Sequence, residues 1–230
     1  MKQNYIHVCF VIDESGSMCD TVSDVIGGFK KVIDEQRAVE NGTCSVSCFK
    51  FRTDVEEVYI GKDVKDVEYL DGKYSPGGCT ALFDGVGTAI DKIGSWLDSM
   101  EEDEKPEKNI IVIMTDGEEN SSKEYKKERI NEMIKHQEEK YSWEFVYMGS
   151  DMTNANDARS IGINTRFFSS KLNYLDNYTN ISDSITAYRL DDREVTLKAC
   201  SLKKSLSDSG ERVTKEYAEA NNLDVDILLD

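Results

Sequence analysis

The chain has 230 residues, enough for one sizeable core and too few for two large domains to be the default. Hydrophobic residues make up 39% and charged residues 32%, and no apolar run approaches the roughly 18 residues of a membrane-spanning helix. A formal net charge of −17 repels phosphate backbones and anionic lipid, which argues against nucleic-acid or membrane-surface binding and favours cations or basic partners.

Residues 1–7 lead straight into a strand-like stretch with no apolar signal region, so the expected location is cytoplasmic. Residues 5–13 (YIHVCFVID) form a continuous apolar run ending in Asp13, as in a strand buried on both faces. Val22, Val25, Ile26, Phe29, Val32 and Ile33 recur at helical spacing and predict a helix over 21–40. Strands are expected at 43–51 and 56–60, joined by a tight turn at Arg52-Thr53-Asp54 that signals one antiparallel hairpin. A Ser75-Pro76-Gly77-Gly78 loop then opens a helix over 80–100 with Leu82, Val86, Ile90, Ile93 and Leu97 on one face.

An acidic linker at 101–108 leads to a second strongly apolar strand, 109–115, which Asp116-Gly117 ends. Helix is expected over 122–140, strand over 143–149, a short helix at 157–161, strand over 165–169, and a closing helix over 174–190. That last helix has Leu175, Tyr178, Ile181, Ile185 and Tyr188 on one side. Pro76 and Pro106 both fall in expected loops. The alternation predicts an α/β doubly wound, mostly parallel sheet with one antiparallel edge strand and helices on both faces. It divides the chain into a domain at 1–190 and an acidic, polar C-terminal tail at 191–230, partly disordered or docked.

Six cysteines without a CxxC pair, and only two histidines, give a zinc site little to build on. Cys44 and Cys48 lie on one face of a strand, so reduced core thiols are expected.

In an open parallel sheet, ligands sit beyond the carboxyl ends of the strands. Two loops leave apolar strands here with oxygen-rich side chains. In Asp13-Glu14-Ser15-Gly16-Ser17, a curved loop aims Asp13, Ser15 and Ser17 inward while Glu14 and Gly16 face away. Asp116 leaves the second strand, and Thr80 follows Gly77-Gly78-Cys79. Hydroxyls and carboxylates without thiolate or imidazole suit a hard cation, Mg²⁺ above all, with Mn²⁺ or Ca²⁺ as alternatives. Taken singly, Ser17 or Asp20 reads as a cap on the following helix, Thr80 as another cap, and Asp116-Gly117 as a turn.

At these residues the sequence resembles the von Willebrand factor type A domain family, which includes the integrin inserted domains. The family's metal-ion-dependent adhesion site has an Asp-x-Ser-x-Ser loop, a Thr in a second loop and an Asp after the fourth strand. Those positions match Asp13, Ser15, Ser17, Thr80 and Asp116, with no ligand substituted. Over about residues 5–190 the resemblance implies a Rossmann-like fold with Mg²⁺ or Mn²⁺ at the top of the sheet. It also implies a protein partner that offers a carboxylate to the metal, in a family that includes partners of AAA+ ATPases and other complex components.

The function expected is therefore a non-catalytic, divalent-cation-dependent protein-binding module. One alternative is a Mg²⁺-dependent phosphatase with Asp13 as nucleophile, although such enzymes need a second Asp where Ser15 stands. The other is a metal-stabilised scaffold in an intracellular complex.

Overall fold

A computed structural model describes residues 1–149, 158, 161–163, 165–168 and 174–190. The expected tail at 191–230, and most of the expected short helix at 157–161, lie outside the described residues. The strands are β1 (Lys2–Asp13), β2 (Thr43–Phe51), β3 (Val55–Asp63), β4 (Pro106–Met114), β5 (Glu144–Gly149) and β6 (Thr165–Phe168). The helices are α1 (Val22–Ala38), α2 (Leu82–Asp98), α3 (Lys127–Tyr141) and α4 (Tyr174–Leu190).

The six strands stand in the order β3-β2-β1-β4-β5-β6, all pairs parallel except the β2–β3 hairpin. This is the expected doubly wound sheet with one antiparallel edge strand. Side chains alternate across it with the period of a strand. Ile6, Val8, Phe10 and Ile12 of β1 pack with Val25, Phe29 and Val32 of α1 and Tyr178, Ile181 and Ile185 of α4. Cys9 and Val11 face the other way, onto Leu82, Val86, Ile90 and Ile93 of α2 and Ile130 and Ile134 of α3. Each large apolar side chain so buried contributes about 1.5–3 kcal/mol, and the paired layers hold the strand ends at fixed heights.

Several boundaries differ from the sequence reading, each for a physical reason. β4 begins at Pro106, inside the expected linker, and Pro106 pairs with Lys2, so this proline lies in a strand rather than a loop. The first residue of a strand is where a missing N–H costs least. β3 runs over nine residues and passes Trp96 of α2 so closely that a Cβ at Gly61 would meet the indole at 2.4 Å; Gly61 also has φ +61°. α3 starts at Lys127, five residues later than expected, because the N–H groups of Lys123, Glu124 and Tyr125 before it are held by the Asp84 carboxylate of α2.

The carboxyl ends of β1, β2 and β4 share one edge of the sheet. Strand order reverses between β1 and β4, which makes that edge the switch point where open α/β sheets bind ligands.

Candidate functional site

Asp13 is the last residue of β1 and is fully buried. Its Oδ1 accepts from Ser15 N at 2.7 Å and its Oδ2 from the Thr115 hydroxyl at 2.6 Å. Its carbonyl accepts from the Tyr74 hydroxyl at 2.7 Å. Burial pushes the carboxyl up to about 6; the Thr115 and Ser15 hydrogen bonds oppose that, and the nearby Asp116 charge adds to it. An anion held this way gains from a neighbouring positive charge.

The rest of the first loop forms a 3₁₀ turn, Gly16–Thr21, before α1. Ser15 Oγ and Ser17 Oγ stand 3.0 Å apart, Ser15 buried and Ser17 exposed. Neither Ser17 nor Asp20 caps α1, whose N-cap is Thr21 with no side-chain cap bond. Thr80 is not a cap either: α2 starts after Ala81, again without a side-chain cap bond. The Thr80 backbone is instead clamped by Asn120, whose Oδ1 accepts from Thr80 N at 2.9 Å and whose N donates to Thr80 O at 3.0 Å. The hydroxyls are therefore not consumed in finishing helices.

They converge at Gly117. A Cβ built there would stand 2.9 Å from Thr80 Oγ1, 3.2 Å from Ser17 Oγ and 3.5 Å from Asp13 Oδ2. Two chain segments, far apart in sequence, thus bring oxygens around one small space beside a third, where only a glycine leaves it open. Asp116, the residue before that glycine, is half-buried with both carboxylate oxygens sealed from solvent, and its charge reaches Asp13. All five predicted residues are gathered at one edge. Among the described residues no three His, Cys, Asp or Glu side chains come together as a metal group; the gathered set is two carboxylates and three hydroxyls. Such a set suits a hard cation that keeps several waters, and the small oxygen-lined space is of the right kind.

Sequence reading missed the residues that build this edge. Glu14 turns away from the cradle as expected, but it does so into a buried ion pair with Lys50 at 3.2 Å, and its carboxylate accepts from Ser75 N at 2.7 Å. That ties the second loop to the first. Glu119 accepts from Phe83 N, Ser121 N and Ser122 N, and Asp84 accepts from the N–H groups of Lys123, Glu124 and Tyr125. These carboxylates satisfy backbone donors at the start of α2 and fix the third loop. Only Thr115, next to Asp116, carried any signal in the sequence.

Residues 7–187 match the model of the von Willebrand factor type A domain. The chain belongs to that family. Domains of this family are protein-interaction modules, and some carry the adhesion-site motif. Among solved structures, this type A domain resembles the vWF domain of the pilus tip protein Mfa5 from Porphyromonas gingivalis, at TM-score 0.61 and 12% identity, over 83% of this chain and 98% of that one. It also resembles a mutant of the PilB minor pilin from Streptococcus sanguinis (TM-score 0.55, 14% identity, 80% of this chain and 62% of that one). A third similar structure is proximal thread matrix protein 1 from the mussel byssus with a zinc-occupied MIDAS motif (TM-score 0.52, 16% identity, 77% of this chain and 45% of that one). The chain thus spans less than two thirds of the pilin and of the byssus protein. At these identities the likeness is one of fold. No curated protein matches the chain by sequence. No described helix of the domain is long and apolar enough to cross a membrane.

Proposed function

We propose that this type A domain is a non-catalytic module that binds a protein partner through a divalent cation, Mg²⁺ first, held by Asp13, Ser15, Ser17, Thr80 and Asp116. The observation that carries the reading is the approach of Thr80 Oγ1, Ser17 Oγ and Asp13 Oδ2 to the single point above Gly117. When bound, the cation supplies residual positive charge for a carboxylate on the partner. The chain's own work is to hold the oxygens in register. Thr115 orients Asp13, Asn120 fixes Thr80, and the Glu14–Lys50 pair keeps the first two loops together. Few and mostly neutral ligands leave that charge only partly compensated, the condition under which an outside anion is attracted.

The absence of chemistry is part of the proposal. His7 is buried against Trp96 and bonded to Ser45, and His136 packs on Tyr141 of α3, so neither serves as an acid or base at the cradle. Ser15 stands where a phosphatase would need a second acid. Mn²⁺ and Ca²⁺ fit the same oxygen chemistry, and zinc occupies the motif in the byssus protein. A cytoplasmic location accords with five free thiols among the described cysteines. An AAA+ ATPase or another complex component is a partner class carried by the family likeness alone.

The test is capture of binding proteins from a native extract in millimolar magnesium, followed by EDTA elution, with wild type beside Asp13→Ala. Metal-dependent capture by wild type alone is expected. Equal capture with and without EDTA would remove the proposal.

A further inference from the structure

Arg52 stands at the tip of the β2–β3 hairpin, where its backbone joins two of the loops that build the cradle. Its carbonyl accepts from Ala81 N at 2.8 Å, one peptide unit from Thr80. The carbonyl of its neighbour Phe51 accepts from Glu14 N at 2.7 Å, one peptide unit from Asp13. Arg52 N donates to Asp54 O at 3.0 Å to close the tip, and Thr53 Oγ1 accepts from Cys79 N at 3.2 Å. The Arg52 backbone is therefore fixed relative to the cradle, while its side chain is exposed.

Charge sets this residue apart. Lys50, two residues before it in β2, is neutralised by Glu14 and Glu56, and Lys73 by Glu68. Among the described residues Arg52 has no acidic partner, in a chain whose net charge is −17. Asp20, Asp54 and Glu118 lie exposed on the same loops and repel an approaching anion. Lys123 and Lys126 are also exposed, on the third loop, where Lys123 N donates to Asp84 in the first turn of α2 at 2.8 Å, but an ammonium is a point charge without a guanidinium's fork. At the cradle's edge, a negative surface would thus offer an anion a cation held by the cradle and one guanidinium fixed to the same loops. A guanidinium fork takes a carboxylate through two parallel N–H···O bonds, which a point charge does not.

We propose that Arg52 is the second anchor of this site: the partner segment carries two carboxylates, one for the cation and one for the guanidinium. This rests on the cation-binding reading above and adds the class of partner, an acidic peptide segment rather than a single exposed carboxylate. Arg52 selects among carboxylate-bearing segments and takes no part in holding the metal.

The test has two stages. Calorimetric titration of wild type, Arg52→Gln and Arg52→Lys with magnesium alone should give one affinity for all three. Each magnesium-loaded protein is then titrated with capped Gly/Ser peptides carrying one Asp, or two Asp separated by varied spacers. Wild type should bind the best two-Asp peptide about tenfold tighter than the one-Asp peptide, the scale of one added charge-assisted contact. Arg52→Gln should erase that preference while leaving one-Asp binding unchanged, and Arg52→Lys should restore part of it. The same preference in wild type and Arg52→Gln, or a loss shared equally by both peptides, overturns the proposal. Failure of magnesium to bind wild type at all overturns the cation site itself, a result the first stage reads separately.

Discussion

Replacing Gly117 by alanine adds one methyl group at the point where the oxygens meet. The new carbon would lie 2.9 Å from Thr80 Oγ1 and 3.2 Å from Ser17 Oγ, closer than such contacts tolerate, so the hydroxyls must turn away. Both are ends of short side chains that can rotate, and Gly117 is not among the residues with positive φ, so the fold itself is little strained. Lost chain entropy in the unfolded state even offsets the cost by about 0.4–1 kcal/mol. The metal site is what suffers. At a hundredfold excess over Kd, a bound cation stabilises the folded wild type by about 2.7 kcal/mol. For a domain of this size each kcal/mol moves Tm by about 2–4 °C, so magnesium should raise the wild-type Tm by about 5–11 °C. Gly117→Ala should show a near-normal Tm in EDTA and almost none of that rise. Differential scanning fluorimetry across a magnesium series reads both quantities. An alanine variant with the full magnesium-dependent rise would show that no cation sits among these oxygens.

Asp13→Asn should move stability in opposite directions with and without metal. The folded pKa of about 6 lies above the carboxyl's ordinary value of 3.8, so this carboxyl stabilises the fold below the lower value and loses that contribution as pH rises through the higher one. At pH 7 in EDTA the neutral amide should therefore gain about 1–3 kcal/mol in urea unfolding, yet show no magnesium-dependent stabilisation. His7 is lowered from 6.5 to about 3 by burial, opposed by its bond to Ser45. It therefore costs nothing above pH 6.5 and erodes stability as pH falls from there, by up to about 1.4 kcal/mol per unit. His7→Gln should flatten the stability slope between pH 6.5 and 5, and an unchanged slope would refute this account. Glu14→Ala removes one partner from a nearly buried ion pair and the acceptor for Ser75 N, while Lys50 keeps Glu56 and the Lys73 carbonyl. The expected loss is about 2–3 kcal/mol by chemical denaturation, together with weaker magnesium binding from the loosened loops.

Local periodicity was enough to fix the layers. The apolar runs of β1 and β4 and the helical stripes of α1, α2 and α4 are properties of neighbouring residues, which a linear chain displays openly. The five oxygen-bearing side chains were equally visible as candidates, four because they sit where a strand gives way to a loop and Thr80 because it follows a Gly-rich loop at the start of a helix. Their alternative uses were not resolvable that way: whether Thr80 caps a helix or faces the cradle depends on Asn120, forty positions along the chain.

What the sequence determined by itself was the doubly wound architecture and which oxygen-bearing residues stand in its loops, since both follow from residue type and short-range spacing. Only the tertiary structure decided that α3 starts late, that Pro106 joins a strand, that Glu14 braces the loops, and that Gly117 leaves the space between the oxygens open. Those outcomes arise from hydrogen bonds and close approaches between segments far apart in the chain, and no local pattern encodes which distant partner a backbone N–H or a carboxylate will find.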